Sequence, residues 1–318
     1  TDTVCDLSDA CFLEGSCEQQ TGMCWAAPAQ TCDLGPQVSP SGCGALTSPC
    51  NSGGPDFTWP TTEPSANYTV VDVAGEDVVT DTVTGLIWQG DNSQISMSWA
   101  DALTYCDTTP FGGSTDWRVP SQHELMSLIK FESLISPASD FPGVTTDIYW
   151  TRDRVDTSHA YSVDFDTGEV DQRIIPGSAY IRCVRGGQLT MPDPRYLRGS
   201  LGADEVTHDV YTGLWWLKVS GNRNYDDAVA YCVSLEHAGH TDWRLPTAAE
   251  LSSIIDNTRP LENYVASAAI EKTFGISKSI TELVGDATQQ WFVTFAYGTV
   301  KTSAKTANQS LYCVRSAD

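Results

Sequence analysis

Residue sets with chemistry in them come in pairs along this chain. Asp116-Trp117-Arg118 and Asp242-Trp243-Arg244 each place a carboxylate two residues from a guanidinium, the makings of an acid–base couple. Both stand beside a helix start, where the arginine would be tied to a carboxylate such as Glu124 or Glu250, so packing is the expected role. Asp164-Phe-Asp166-Thr-Gly168-Glu-Val-Asp171 alternates oxygens around a glycine turn, as calcium loops do. The matching stretch Phe295-Ala-Tyr-Gly298-Thr-Val has no acids, so this hairpin does not need a metal and no cofactor is expected. His237 and His240, near Glu236 and Asp242, have zinc-ligand spacing, but no third ligand is evident and a polar loop is the better reading. Ser-His-Asp order, a glycine-rich phosphate loop and a nucleophile elbow are all missing, and no enzyme is expected.

Cysteine is the other reactive type, and there are eleven. That number is unusual in a reducing compartment and points to export, to an extracellular or cell-surface location. The sequence opens at Thr1 with neither Met nor an apolar signal, so a leader is expected to have been removed or to lie upstream. Seven cysteines (5, 11, 17, 24, 32, 43 and 50) crowd the amino-terminal segment at irregular steps, which suits a small disulfide knot better than zinc. Their odd number leaves one free, bridged upstream, or bonded to a partner chain; the last would make the segment an assembly module for neighbouring copies. The remaining four are Cys106, Cys183, Cys232 and Cys313.

Charge narrows the partners. With 18 basic against 41 acidic residues the formal charge is -23, and no Lys or Arg precedes Arg118. Such a surface repels phosphate backbones and anionic lipid, which excludes nucleic acid, and it also keeps an exported protein soluble. No apolar run approaches the ~18 residues of a membrane helix, so insertion is not expected.

The elements that must position these residues are written twice. Asp81-Thr-Val-Thr-Gly85-Leu-Ile-Trp88 returns as Asp209-Val-Tyr-Thr-Gly213-Leu-Trp-Trp216, and Trp99-Ala-Asp-Ala-Leu-Thr-Tyr-Cys106 as Tyr225-Asp-Asp-Ala-Val-Ala-Tyr-Cys232. Thr115-Asp-Trp-Arg-Val-Pro120 returns as Thr241-Asp-Trp-Arg-Leu-Pro246, and Cys183-Val-Arg185 as Cys313-Val-Arg315. Four blocks in the same order mark a duplicated domain. The organisation is then a cysteine-rich module at 1–51, a linker at 52–66, repeat one at 67–187, a linker at 188–194 and repeat two at 195–318.

Each repeat can be read locally. Trp99, Ala102, Leu103 and Cys106 fall on one helical face, as do Tyr225, Ala228, Val229 and Cys232. Ser121 with Glu124, and Thr247 with Glu250, open a second helix with a capping box, before apolar stripes at Leu125, Leu128, Ile129 and Leu251, Ile254, Ile255. Alternation at Tyr161, Val163, Phe165 and at Trp291, Val293, Phe295 reads as strand. The fold class is therefore α+β. Duplication favours Cys106 with Cys183 and Cys232 with Cys313 among the three pairings, each bridge contributing ~4 kcal/mol on chain-entropy arithmetic.

The combined motifs D-x-x-TGL-x-W, W-x-x-A-x-x-YC, DWR-[VL]-P-[ST]-x-x-EL and CVR resemble the Legionella collagen-like protein C-terminal domain family, also named domain of unknown function 1566, twice over residues 67–318. The R-[VL]-P-[ST]-x-x-E helix start is also similar to the formylglycine-generating family. That resemblance implies two tandem C-type-lectin-like modules, and surface proteins that bind glycans or host molecules. The Glu-Pro-Asn and Trp-Asn-Asp triplets of calcium-dependent lectins, and the catalytic cysteine segment of the formylglycine enzymes, have no counterpart.

Lectin-like folds present ligands on loops after the second helix, and there repeat one carries Tyr149, Trp150, Arg152, Arg154 and His159. Aromatics beside arginines suit sugar stacking or protein hot spots, against the alternative that Trp150 fills the core. Repeat two has Ser279-Ile280 at the aligned position of Tyr149-Trp150. The expected function is an adhesin-like binding protein for an extracellular glycan or protein. The alternative is a structural subunit of an extracellular filament, and a distant third is an exported enzyme.

Overall fold

A computed structural model describes residues 16–17, 24–25, 68–90, 95–131, 146–186, 195–201, 204–256 and 276–316. The amino-terminal knot falls outside these, except that β1 (Ser16–Cys17) pairs antiparallel with β2 (Cys24–Trp25). Both expected linkers, 52–66 and 188–194, also lie outside the described residues.

Repeat one begins with the meander β3 (Tyr68–Val73), β4 (Glu76–Asp81) and β5 (Ile87–Gln89), then β6 (Met97–Ser98). Helices α1 (Trp99–Thr108) and α2 (Gln122–Met126) follow. The repeat closes with β7 (Ile148–Arg154), β8 (His159–Asp164), β9 (Val170–Ile174), β10 (Ser178–Ala179) and β11 (Val184–Arg185). Repeat two runs β12 (Tyr196–Leu201), β13 (Asp204–Asp209), β14 (Leu214–Arg223), α3 (Tyr225–Val233) and α4 (Ala248–Ser253). It ends with β15 (Ile276–Leu283), β16 (Asp286–Thr294), β17 (Thr299–Ala304) and β18 (Gln309–Ser316). Strands dominate the described residues, and the helices are only 10, 5, 9 and 6 residues long. The expected α+β balance is thus tipped toward β.

Local chemistry explains the helices. Ser98 and Asn224 cap α1 and α3 by accepting from the amides of Asp101 and Asp227. Both capping boxes form: Ser121 with Glu124 and Thr247 with Glu250 satisfy each other's orphan amides. The apolar faces of α1 and α3 turn inward, where Cys106 bridges Cys183 and Cys232 bridges Cys313 across loops of 77 and 81 residues. Each bridge ties the first helix of a repeat to its last strand.

The two repeats share a sheet. A ten-stranded sheet runs β12-β13-β14-β18-β15-β16-β17-β9-β8-β7, and the seam between the copies is β17 against β9. There Val300 stands opposite Val170 in antiparallel register. These two valines are counterparts, because Val163 and Val293, and Cys183 and Cys313, keep the same spacing. Counterparts facing each other across antiparallel strands mark a local two-fold axis. The contacts around it follow the symmetry: Tyr161 donates its hydroxyl to the carbonyl of Tyr297 at 2.8 Å, while its counterpart Trp291 lies over Gly168. A Cβ at Gly168, whose φ is +76°, would meet that indole at 3.2 Å. One buried cluster holds Tyr161, Val163, Phe165 and Val170 together with Trp291, Val293, Phe295 and Val300.

Polar contacts seal the seam. Gln122 donates to the carbonyl of Gly298 at 3.0 Å, and Lys301 reaches Glu169 at 3.1 Å and Asp171 at 2.6 Å. His123 of α2 is buried against repeat two, and burial, then the positive charge of Arg195, lowers its imidazole to about 4.

The outer cores have diverged. In repeat one Trp150, Ala160 and Ala179 pack in one apolar cluster. Strand register places Lys278, Gln290 and Gln309 at the same positions of repeat two, all buried. Ser277-Lys278, rather than the expected Ser279-Ile280, therefore matches Tyr149-Trp150. The bond from Arg152 N to Pro120 O and its copy from Ile280 N to Pro246 O fix this alignment. Lys278 donates to Ala307 O at 3.0 Å, and burial lowers its amine to about 8.

Two pH effects follow, each with the native state binding fewer protons than the unfolded chain, so that stability rises with pH. Denaturant titrations should show the folded state losing stability as pH falls from about 6.5 toward 4, and His123→Gln should flatten that slope. Between about 8 and 10.5 stability should climb again, and Lys278→Met should remove the climb while stabilising the chain at pH 7 by ~1–3 kcal/mol.

Candidate functional site

Arg118 is held before it can do anything else. Its guanidinium forks onto Glu124 with bonds of 2.7 and 2.6 Å, and the same carboxylate accepts the amide of Ser121 at 2.8 Å. Burial pushes the Glu124 carboxyl up, but the Arg118 fork outweighs it and the net shift is downward. The backbone of Arg118 exchanges two hydrogen bonds with Val184, the neighbour of disulfide-bonded Cys183. Trp117 is buried, donating its indole N–H to Phe111 O at 2.9 Å, and Arg185 lies over its ring while pairing with Asp116 at 3.3 Å. Repeat two repeats this arrangement: Arg244 forks onto Glu250 at 2.7 and 2.6 Å, and Arg315 bonds Asp242 at 2.9 Å. The Asp-Trp-Arg motif is therefore occupied with structure, as its doubling suggested.

The other chemically suggestive sets are also committed. Asp164 turns the hairpin by accepting the amides of Asp166 and Thr167, and Glu169 and Asp171 are taken up by Lys301. His237 and His240 exchange backbone bonds of 3.0 Å around a two-residue turn. Ala238 and Gly239 at its tip have φ of +53° and +77°, the pattern of a type I′ hairpin, and Gly112 and Gly113 repeat it in the first copy. Among the described residues no group of three His, Cys, Asp or Glu side chains is placed to hold a metal.

The expected binding residues separate. All five lie on β7 or at the start of β8 rather than on a loop. Tyr149 is fully buried between Phe165 and Tyr180, with Arg182 over its ring. Trp150 is fully buried too, its indole N–H on Met97 O at 2.9 Å. The expectation that these rings meet a ligand is corrected: alternation along β7 turns both into cores, one on each face. Arg154 caps the following turn by donating to Asp156 O and lies over Trp99. His159 closes the same turn against Asp156, whose carboxyl is held near 2, chiefly by hydrogen bonds from Ser158.

Arg152 alone faces an opening. It lines a shallow cleft of about 370 Å³ with Trp117, Arg118 and Val119, under a wall of Leu103, Thr104 and Asp107 from α1. Its backbone is fixed to Pro120, and among the described residues its guanidinium makes no hydrogen bond or ion pair, its charge acting at a distance on the Glu124 carboxyl. The guanidiniums of Arg118 and Arg152 stand against the carboxylates of Glu124 and Asp107, so the charges balance, with the Arg152 donors on one wall and the Asp107 acceptors on the other.

Repeat two offers a comparison within the molecule. The counterparts of Thr104, Asp107 and Arg152 are Ala230, Val233 and Ile280, while the fork below is kept. Thr104, Asp107 and Arg152 are each replaced by an apolar residue, while the arginine–glutamate fork beneath is kept. Sequence reasoning found Arg152 but missed Leu103, Thr104, Asp107 and Val119. The available signal was the contrast between copies, which a two-residue slip in aligning β15 concealed.

The sequence model of the Lcl C-terminal domain matches residues 77–185 and again residues 205–315. None of the curated proteins compared with the chain is a match.

Removing one partner of a buried fork leaves a charge without compensation, so Glu124→Gln should destabilise the chain by ~3–5 kcal/mol in guanidinium unfolding. Glu250→Gln should cost less, because Arg244 is 37% exposed against 18% for Arg118 and can hydrate instead.

Proposed function

Because the chain belongs to the Lcl C-terminal domain family, in two tandem copies, we propose that it is an extracellular or cell-surface binding protein of adhesin type, working through the cleft of repeat one. The disulfides of both repeats fit an oxidising location outside the cell. The arrangement of helices and hairpins around each bridge supports reading the modules as C-type-lectin-like. Binding rather than turnover is favoured because the residues that could form an acid–base couple are held in ion pairs in both copies.

The observation that carries this reading is Arg152: a guanidinium with no hydrogen bond or ion pair among the described residues, on a strand and facing an open cleft, with Ile280 in its place in the second copy. Repeat two then acts as support, through the shared sheet. A second reading, a subunit of an extracellular filament, draws on β3, an edge strand with Val70 and Val71 exposed at 46% and 52% and neither Lys nor Pro to protect it.

The test is retention of the labelled full chain on glycoprotein-coated surfaces. Arg152→Ile is expected to reduce retention at least about tenfold, a loss of ~1.4 kcal/mol, while Arg154→Ala leaves it unchanged. Retention indifferent to Arg152→Ile would remove the cleft from the account, and open-ended polymers of the purified chain in light scattering would favour the filament reading.

A further inference from the structure

We propose that the cleft of repeat one recognises a single carboxylate carried on a hydroxyl-rich ring, that is, an acidic monosaccharide unit of a glycan; this rests on the reading of the cleft as a binding site. Its guanidinium is the first argument. Among the described residues the Arg152 guanidinium has no hydrogen-bond or ion-pair partner, feeling Glu124 only at a distance, and a planar fork of donors matches a carboxylate in geometry as well as charge. Arg118 beside it cannot swing to meet a ligand, because Glu124 holds both its terminal nitrogens and balances its charge, which leaves Arg152 as the donor on this wall.

The opposite wall decides what surrounds the acid. Asp107 accepts hydrogen bonds, and Thr104, whose hydroxyl donates to Ala100 O at 3.1 Å, also has only acceptor sites to offer, so the groups facing them must donate, as sugar hydroxyls do. Asp107 also repels a second negative charge, as does the whole chain at -23. A polyacid or an acidic peptide run is therefore disfavoured relative to one isolated carboxylate. Leu103 and Val119 supply an apolar surface for the C–H face of a ring. The volume, about 370 Å³, sits at the low end of the ~300–1,000 Å³ of small-molecule sites and suits one ring with part of its neighbour.

The second copy strengthens the assignment. Loss of Arg152 alone could be drift, but donor, acceptor and hydroxyl are all absent at once in Ile280, Val233 and Ala230. The three polar groups form one recognition unit, present in one copy and erased in the other on the same scaffold.

The experiment is calorimetric titration of the full chain at low salt with methyl glycosides of glucuronic acid and N-acetylneuraminic acid, each beside its carboxyl-reduced analogue, and with acetyl-Ala-Ala as a free peptide carboxylate. At least one acidic glycoside should bind with Kd on the order of 1 mM, and its reduced analogue at least about tenfold more weakly. Binding should weaken as salt is raised and vanish in Arg152→Ile, a variant whose melting should match the parent because Ile280 keeps the same backbone bond in repeat two. Equal binding of acid and reduced glycosides, binding of none of them, or tighter binding of the dipeptide would overturn the proposal. If the glycosides fail while surface retention still depends on Arg152, the ligand class alone is wrong. If retention ignores Arg152, the site itself is wrong.

Discussion

A carboxylate sealed from water is the constraint on which each module is built. Glu124 has no solvent of its own, so its charge is tolerated there only because the carboxylate is fully bonded. Three partners meet the demand: the two ends of the Arg118 fork and the amide of Ser121. Together they fix two elements, since Ser121 starts α2 and Arg118 lies in the segment that pairs with the last strand beside Cys183. The disulfide then returns that strand to α1. Helix, helix and closing strand are thus oriented by one ion pair and one covalent link, and the cleft is the space left above the pair.

What could be read from the residues was what depends on neighbours in sequence. Caps, helical stripes and the cysteine partners were legible because each is a local pattern stated twice. The fate of Tyr149 and Trp150 was not, because their burial comes from two different cores meeting the two faces of β7. Nor was the seam between the copies: Val170 and Val300 look like any strand valines, and only the assembled sheet shows that they oppose each other. For the cleft, Arg152 was visible as an arginine near aromatics, but its setting required α1 and β7 to be placed side by side, which no spacing along the chain reveals.

The divergence of the two copies has a physical logic. One large and two small residues, Trp150, Ala160 and Ala179, fill their layer by dispersion and exclude water. Lys278, Gln290 and Gln309 are three side chains of middling size and fill the corresponding layer with hydrogen-bonding groups. In repeat one polarity is concentrated in the surface cleft and the core beneath is apolar; in repeat two the surface is apolar and polarity has moved inside. Both arrangements keep the fork, the caps and the bridge, so the scaffold tolerates the exchange.

The seam has a consequence for how such a chain can change. Opposed counterparts around an internal axis are the geometry of a symmetric dimer whose two subunits have been fused into one polypeptide. In a true homodimer any substitution strikes both halves together, so a polar cleft and its apolar twin could never coexist. Fusion lifts that coupling: one half can change while the other keeps the shared face intact, and a pseudo-symmetric body ends with two clefts of unlike chemistry.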